Sequence, residues 1–379
     1  FLIRIGHDCD SGRLLALLKE PYGVRAPQGR GFDFAWGSVA VLEDRLASNA
    51  NIIGVDGGVL AWVGDLVGGM SETFRAALIA RLASLHRSAQ GHDDFLEDDP
   101  VFRQLNGAFA ILYADEMGFH IVTDPLGTTQ VFLGQGADGR TVSAGTHADL
   151  VAVAGEVSEE VDPVSLGQFL RQGHCDFPCT MYKNLVEGHP GTVFAMCREN
   201  GELQSRQWLY WQPPAEVRTG YSETDLADRL REVFLAAVAE RCAADRTGVA
   251  LSGGLDSRLV TAAVPRDKAG IVFTLCDRVN REARTARRAA AAYGRPWFPL
   301  IRHQEYLADH LVGAVRFIGC ECEFVHAHLF GFADTITNEV DVLLTGDLLD
   351  TLLRAYTAKD FVCRRRLRGL LPNRYERIP

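Results

Sequence analysis

The residues with the most chemical content are Ser252-Gly253-Gly254-Leu255-Asp256-Ser257. An apolar run, Val249-Ala250-Leu251, leads into them, and Leu259, Val260, Ala262, Ala263 and Val264 follow at helical spacing. The pattern predicts a strand, a tight turn and the opening of a helix. Two glycines remove Cβ where a chain turns sharply or an anion approaches the backbone. The amides freed in the first helical turn, with the positive end of the helix, favour a negative ligand. Ser252 and Ser257 add hydroxyl donors. Asp256 adds a carboxylate that is tolerated beside phosphates only with a divalent cation between them. Ser-Gly-Gly alone is also ordinary turn punctuation, whereas the full string between strand and helix is far more specific. No Gly-Lys-Ser/Thr is present, so this is not the Walker arrangement.

A second stretch, Val342-Leu343-Leu344-Thr345-Gly346-Asp347-Leu348-Leu349-Asp350, runs another apolar strand into Thr-Gly and two carboxylates three apart. Alone, Asp347 and Asp350 read as acids at a helix start. Beside the Ser252 loop they read as site carboxylates, because aspartates from separate strand ends can hold a divalent cation against phosphate. His326 and His328 fall in an expected helix, 323–332, where a spacing of two separates the rings and argues against a joint metal site. Cys320/Cys322 and Cys175/Cys179 lack a second ligand pair at zinc spacing and read as small buried residues.

The elements that must position these groups form two patterns. Residues 1 to about 211 read as paired strands with a few helices: 1–5, a hairpin about Gly57-Gly58, 108–113 with 119–122, and 131–134 with 141–144. Phe74, Leu78, Leu82 and Leu85 give an amphipathic helix over 72–85. This half is expected to be an α+β sheet sandwich. After Pro213-Pro214, Ser222 is placed to cap a helix with an apolar stripe through Leu226, Leu230, Val233, Phe234, Ala237 and Val238. The strand into Ser252, the continuous apolar run 271–275 and a helix over 282–293 stopped by Gly294 predict a doubly wound α/β domain. Its ligands belong at the carboxyl ends of the strands.

The Ser252–Ser257 string resembles the pyrophosphate loop of the N-type ATP pyrophosphatases, specifically the class B asparagine synthetase superfamily. Residues 342–350 resemble that family's second conserved stretch. Leu105-Asn106-Gly107-Ala108-Phe109-Ala110, Thr123-Asp124-Pro125-Leu126-Gly127 with Val131-Phe132, 180–191, and Trp208 to Trp211 are similar to landmarks of its N-terminal glutaminase domain. The resemblance implies a degenerate Ntn-hydrolase-like domain over 1–212 and an ATP pyrophosphatase domain over 213–379. It implies ATP held by Leu251, Ser252, Gly253, Gly254, Asp256, Ser257, Leu275 and Gly346, Mg²⁺ held by Asp256 and Asp350, and a catalytic role for Asp347. The implied activity is carboxylate adenylation followed by amine attack.

Departures from the family refine that expectation. Its glutaminases use an N-terminal cysteine with its own amine as base, whereas residue one here is Phe1 and Cys9 lies past the first strand. Val63-Gly64-Asp65 replaces the family's Asn-Gly-Glu, and Val63 cannot donate to an oxyanion. Arg45-Leu46 is a weak match to its Arg-Leu-Ser. The first domain is therefore expected to have lost glutamine hydrolysis, as in β-lactam synthetases and lasso-peptide macrolactam cyclases. Leu348-Leu349-Asp350-Thr351 loses the family's small residues and final acid, and Lys359 stands too near Asp350 for the lysine the family supplies from a later helical region. The expected partners are a small-molecule or peptide carboxylate, with a precursor peptide and other biosynthetic proteins. The rivals are a glutamine-dependent asparagine synthetase and a non-catalytic scaffold.

Composition sets outer bounds. The chain has 379 residues, 47% hydrophobic, enough for two cores. A net charge of −10 argues against a nucleic-acid binder whose affinity rests on phosphate neutralisation, and the basic run Arg364-Arg365-Arg366 reads as a solvated face. No run is apolar enough to predict a membrane span. Nine cysteines without a Cys-x-x-Cys pair suggest reduced thiols and a cytoplasmic location.

Overall fold

A computed structural model of the chain describes residues 1–6, 10–43, 51–87, 96, 98–136, 142–157, 161–199, 202–214, 220–242, 244, 246–319, 328–347, 361–364 and 374–377. The chain divides into two compact units, Phe1–Gly220 with Leu307–Phe330, and Tyr221–Tyr306 with Gly331–Pro379.

The first unit opens with β1 (Leu2–Ile5), α1 (Ser11–Lys19), β2 (Gly29–Phe34) and β3 (Gly37–Leu42). It continues through β4 (Ile52–Val55), β5 (Gly58–Leu66), α2 (Glu72–Arg87), β6 (Gly107–Asp115), β7 (Gly118–Thr123), β8 (Phe132–Gln135) and β9 (Val142–Gly145). Then come α3 (Ala148–Ala154), α4 (Pro163–Gln172), β10 (Leu185–Glu187), β11 (Thr192–Glu199) and β12 (Glu202–Leu209). Two six-stranded sheets result, ordered β10-β8-β9-β1-β3-β2 and β12-β11-β7-β6-β5-β4. The period-2 alternation of side chains explains the layering. Along β6, Ala110, Leu112 and Ala114 share a core with Ile3 and Val39 of the facing sheet, while Phe109, Ile111 and Tyr113 pack with Leu78, Leu82 and Leu85 of α2. On the other side, Leu14 and Leu18 of α1 and Val151 of α3 cover Leu2 and Ala40. The unit is a helix–sheet–sheet–helix sandwich.

One buried carboxylate holds the turn after β7. Asp124, fully buried, accepts backbone N–H bonds from Phe109 (3.3 Å), Leu126 (3.0 Å), Thr128 (3.0 Å) and Thr129 (2.8 Å). A buried charge is stable only when so many dipoles answer it.

The second unit begins with α5 (Glu223–Arg241), where Ser222 and Asp225 form a reciprocal capping box. β13 (Arg246–Ala250), α6 (Leu255–Ala263), β14 (Ala269–Cys276), α7 (Arg281–Ala292) and β15 (Trp297–Ile301) follow as strand and helix in turn. The chain then passes through α8 (Tyr306–Ile318), which from Leu307 on is grouped with the first unit, and re-enters the second with α9 (Ala333–Glu339) and β16 (Val342–Leu344), which pairs with β13. The sheet order is β15-β14-β13-β16 and every pairing is parallel. Val249 and Leu251, Val260 and Val264, Val272, and Ala286 and Ala290 share one core with Val238 of α5. Alanines at 286 and 290 let α7 lie close on the sheet. The backbones of β17 (Phe361–Arg364) and β18 (Arg374–Arg377) pair antiparallel.

Two expectations need correction. The stripe on α5 is only partly buried: Val238 is in the core and Phe234 packs against it, but Leu226, Leu230 and Val233 are exposed at 52%, 46% and 61%. Periodicity identifies an apolar face but not whether a partner covers its whole length. Of the helix expected over 323–332, residues 323–327, His326 among them, lie outside the described residues, and Phe330–Phe332 is a short 3₁₀ turn. Among the described residues no helix is long and apolar enough to cross a membrane.

Candidate active site

The strand order reverses beside β13: the chain runs from β13 outward to β14 and β15, and β16 then returns to its other side. Parallel sheets open a crevice at such a point, outside the carboxyl ends of the strands. Both expected motifs emerge there. Residues 251–254 follow β13, and Thr345-Gly346-Asp347 follows β16.

Strand register carries one residue beyond β13. The Leu251 amide donates to the Phe273 carbonyl at 2.8 Å, and its own carbonyl accepts from the Thr274 hydroxyl at 2.8 Å. Thr274 in turn accepts from the Trp297 indole N–H at 2.9 Å. Side chains of β14 and β15 thus hold the residue from which the turn departs. The turn is then braced by its own hydroxyls. The Ser252 amide donates to Ser257 Oγ at 3.0 Å, the two hydroxyl oxygens lie 2.9 Å apart, and the Gly254 amide donates to Ser252 Oγ at 3.1 Å. Ser257 is 5% exposed, so its hydroxyl belongs to the inside of the turn. The Gly253 amide reaches Glu282 Oε1 of α7 at 3.4 Å. Gly254 caps α6 with extended backbone and no side-chain bond. No side chain therefore caps the first turn of α6, and an uncapped helix start of this kind suits an anion.

Gly346 closes the other wall. A Cβ on it would stand 2.8 Å from the Ser257 amide nitrogen, 3.0 Å from the Asp256 carbonyl carbon and 3.1 Å from Ser257 Cα. Only glycine fits there, because those atoms are backbone. The two motifs, distant in the chain, are thereby brought into direct contact. Asp256 lies half-buried in the first turn of α6, Leu275 lies half-buried near the end of β14 opposite Leu300, and Asp347 is exposed in the turn after Gly346. Asp350 lies outside the described residues, as do Leu348, Leu349 and Lys359.

At the ends of β14 and β15, Arg302 Nε donates to Asp277 Oδ1 at 2.8 Å. Burial raises the Cys276 thiol, with the Asp277 carboxylate acting in the same direction, so it stays protonated near neutrality and is a poor nucleophile. Among the described residues no group of three or more His, Cys, Asp or Glu could hold a metal ion. Cys175 and Cys179 are free thiols but not the buried residues expected: they lie in the loop after α4, Cys175 half-buried and Cys179 exposed, while Cys320 and Cys322 lie outside the described residues. In the first unit Val63 packs against the sandwich core, while Cys9 and Arg45 lie outside the described residues.

The sequence reading missed Glu282, Thr274 and Trp297. An acid at the second position of a helix is common for dipole reasons, and nothing in its spacing points to a turn 29 residues earlier.

No curated protein matches the chain. Among solved structures, glutamine phosphoribosylpyrophosphate amidotransferase from B. subtilis, complexed with ADP and GMP, is 14% identical over 79% of this chain and 65% of its own, with a TM-score of 0.32. A structure described as the allosteric regulatory enzyme of purine biosynthesis is 13% identical over 91% and 89%, at 0.32. An NH3-dependent NAD synthetase from Campylobacter jejuni, in complex with nitrate, is 14% identical over 36% and 62%, at 0.25. The chain spans less than two thirds of the length of the first and third of these, and scores this low carry no argument. The family comparison is more telling, for residues 229–377, which contain both motifs of the crevice, match the asparagine synthase family.

Proposed function

We propose that this chain binds ATP at the β13–β16 crevice and forms an amide bond by adenylating a carboxylate. The observation that carries the reading is the packing of Gly346 against the backbone of Asp256 and Ser257, which makes one crevice of the two motifs inside a segment matching the asparagine synthase family. The glycine cradle and the uncapped start of α6 suit a polyphosphate.

In this reading a carboxylate oxygen bonds to the α-phosphorus of ATP and the bond to the β-phosphate oxygen breaks. Pyrophosphate stays on the Ser252–Ser257 turn, while the amine attacks the activated carbonyl and AMP departs. The α6 amides bind the departing phosphates, and Leu275 and Gly346 border the adenine. Asp256 and Asp350 would hold Mg²⁺, which neutralises phosphate charge when bound. Asp347 faces the reacting carboxylate. The amine is free ammonia or belongs to the substrate, since Val63, in place of the asparagine that serves glutamine hydrolysis, is used in core packing. Such chemistry suits a cytoplasmic enzyme of natural-product assembly, lasso-cyclase-like or β-lactam-synthetase-like, acting on a peptide or small-molecule carboxylate.

The test is pyrophosphate release from ATP against a panel of amino acids, amino-acid derivatives and short peptides, with and without glutamine. Release without glutamine that is lost in Asp256→Ala supports the reading. Release only with glutamine, alongside glutamate, supports a glutamine-dependent synthetase. Silence with every acceptor supports a scaffold.

A further inference from the structure

The three amides of the turn are not engaged alike. Those of Ser252 and Gly254 bond to the loop's own hydroxyls, whereas that of Gly253 meets a carboxylate from another helix, Glu282 Oε1 at 3.4 Å. The approach involves the stem as well as the head: a Cβ on Gly253 would lie 3.0 Å from Glu282 Cγ and 3.5 Å from its Cα. Helix α7 does not need Glu282 as its cap, because Asn280 already accepts from the Ala283 amide. The Glu282 side chain is exposed, and its bond to Gly253 is long, so a stronger acceptor can displace it. The Arg258 guanidinium donates to the Gly254 carbonyl at 2.9 Å, so it stays beside the loop with its charge intact.

We propose that Glu282 is a specificity-determining residue of the phosphate loop. It takes the Gly253 amide when no phosphate is there and makes the loop prefer cation-complexed polyphosphate to free polyphosphate. This rests on the nucleotide reading above. Free pyrophosphate carries the larger negative charge and meets the carboxylate unshielded, whereas a bound divalent cation removes much of that repulsion. The exposed position keeps the effect moderate and sensitive to salt.

Titration calorimetry with inorganic pyrophosphate tests this on the full chain, in EDTA and in excess Mg²⁺, for wild type, Glu282→Gln and Glu282→Ala. In EDTA both variants should bind on the order of tenfold more tightly than wild type. With Mg²⁺ the difference should shrink to about threefold or less, and added salt should narrow the EDTA gap. Equal or weaker binding of free pyrophosphate by both variants overturns the proposal, because Glu282 would then be neutral or a contributor to the site. If wild type binds magnesium pyrophosphate and the variants behave identically to it in both media, only the role of Glu282 falls. If neither wild type nor variants bind pyrophosphate in either medium, the nucleotide reading falls and takes this one with it.

Discussion

Gly346→Ala is the sharpest perturbation of the crevice. The added methyl would meet three backbone atoms of α6, the nearest at 2.8 Å, where ordinary contact begins at 3.4 Å. No rotamer change can relieve a clash with backbone, so the end of β16 or the start of α6 must move by about 0.6 Å in a densely packed unit. Overpacking of this kind costs about 1–3 kcal/mol. The displacement falls on the helix start that would bind phosphate, and a misplacement approaching 1 Å costs about 100-fold in rate. Thermal unfolding and pyrophosphate release should both register it: a clear fall in Tm, and a drop in kcat/KM of about ten- to a hundredfold. Gly54→Ala is the matched control, since a Cβ there meets nothing within 4 Å. A Gly346→Ala protein with unchanged Tm and unchanged ATP affinity would refute the contact between the motifs, and with it the argument for a single crevice.

Two further predictions concern the first unit. Asp124→Asn replaces one of two carboxylate oxygens by an amide NH₂ facing backbone donors, so two of the four N–H bonds lose their acceptor. The expected loss is about 3 kcal/mol, read as a lower urea midpoint, and a loss below about 1 kcal/mol would contradict it. Asp33 accepts from Ser38 Oγ and from the hydroxyl and amide of Ser11, and these bonds, Ser38 first, hold its carboxyl below its ordinary 3.8. A lowered folded-state value means the contribution is full above pH 3.8 and is lost as the pH falls through the folded value. Asp33→Asn should therefore lower Tm near neutrality and flatten its decline in acid, and parallel acid limbs for the two proteins would count against it.

Local patterns were readable from sequence wherever a residue's neighbours in the chain are also its reason for being there. The hairpin at Gly57-Gly58, the strand pair 108–113 with 119–122 and the buried run 271–275 follow from alternation, turn chemistry and apolar length. The Ser252 turn was legible because glycine and serine are local demands of a tight strand-to-helix turn braced by its own hydroxyls. What depends on distant partners was not. Asp124 reads as a turn residue, yet it gathers three amides from the residues that follow it and a fourth from Phe109 of β6. Leu226 and Val238 look equivalent on α5, yet only the second has the sheet beneath it. Leu307–Phe330 grouping with the first unit had no signal in composition. Thr274 is an unremarkable strand residue until Trp297 and Leu251 bracket it.

The return of β16 to β13 also bears on how the protein reaches its native state. Thr274 and Leu251 are 23 residues apart, whereas Arg246 and Asp341, which join the starts of β13 and β16 with Asn338, are 95 apart. Closing the longer loop costs about 1 kcal/mol more chain entropy before any contact repays it, and pairings of high sequence separation form late. The chain will have made its Ser252 turn, its Thr274 brace and most of its core while the wall carrying Gly346 is still missing. A ligand that spans both strands would therefore bind only molecules in which β16 has already paired with β13.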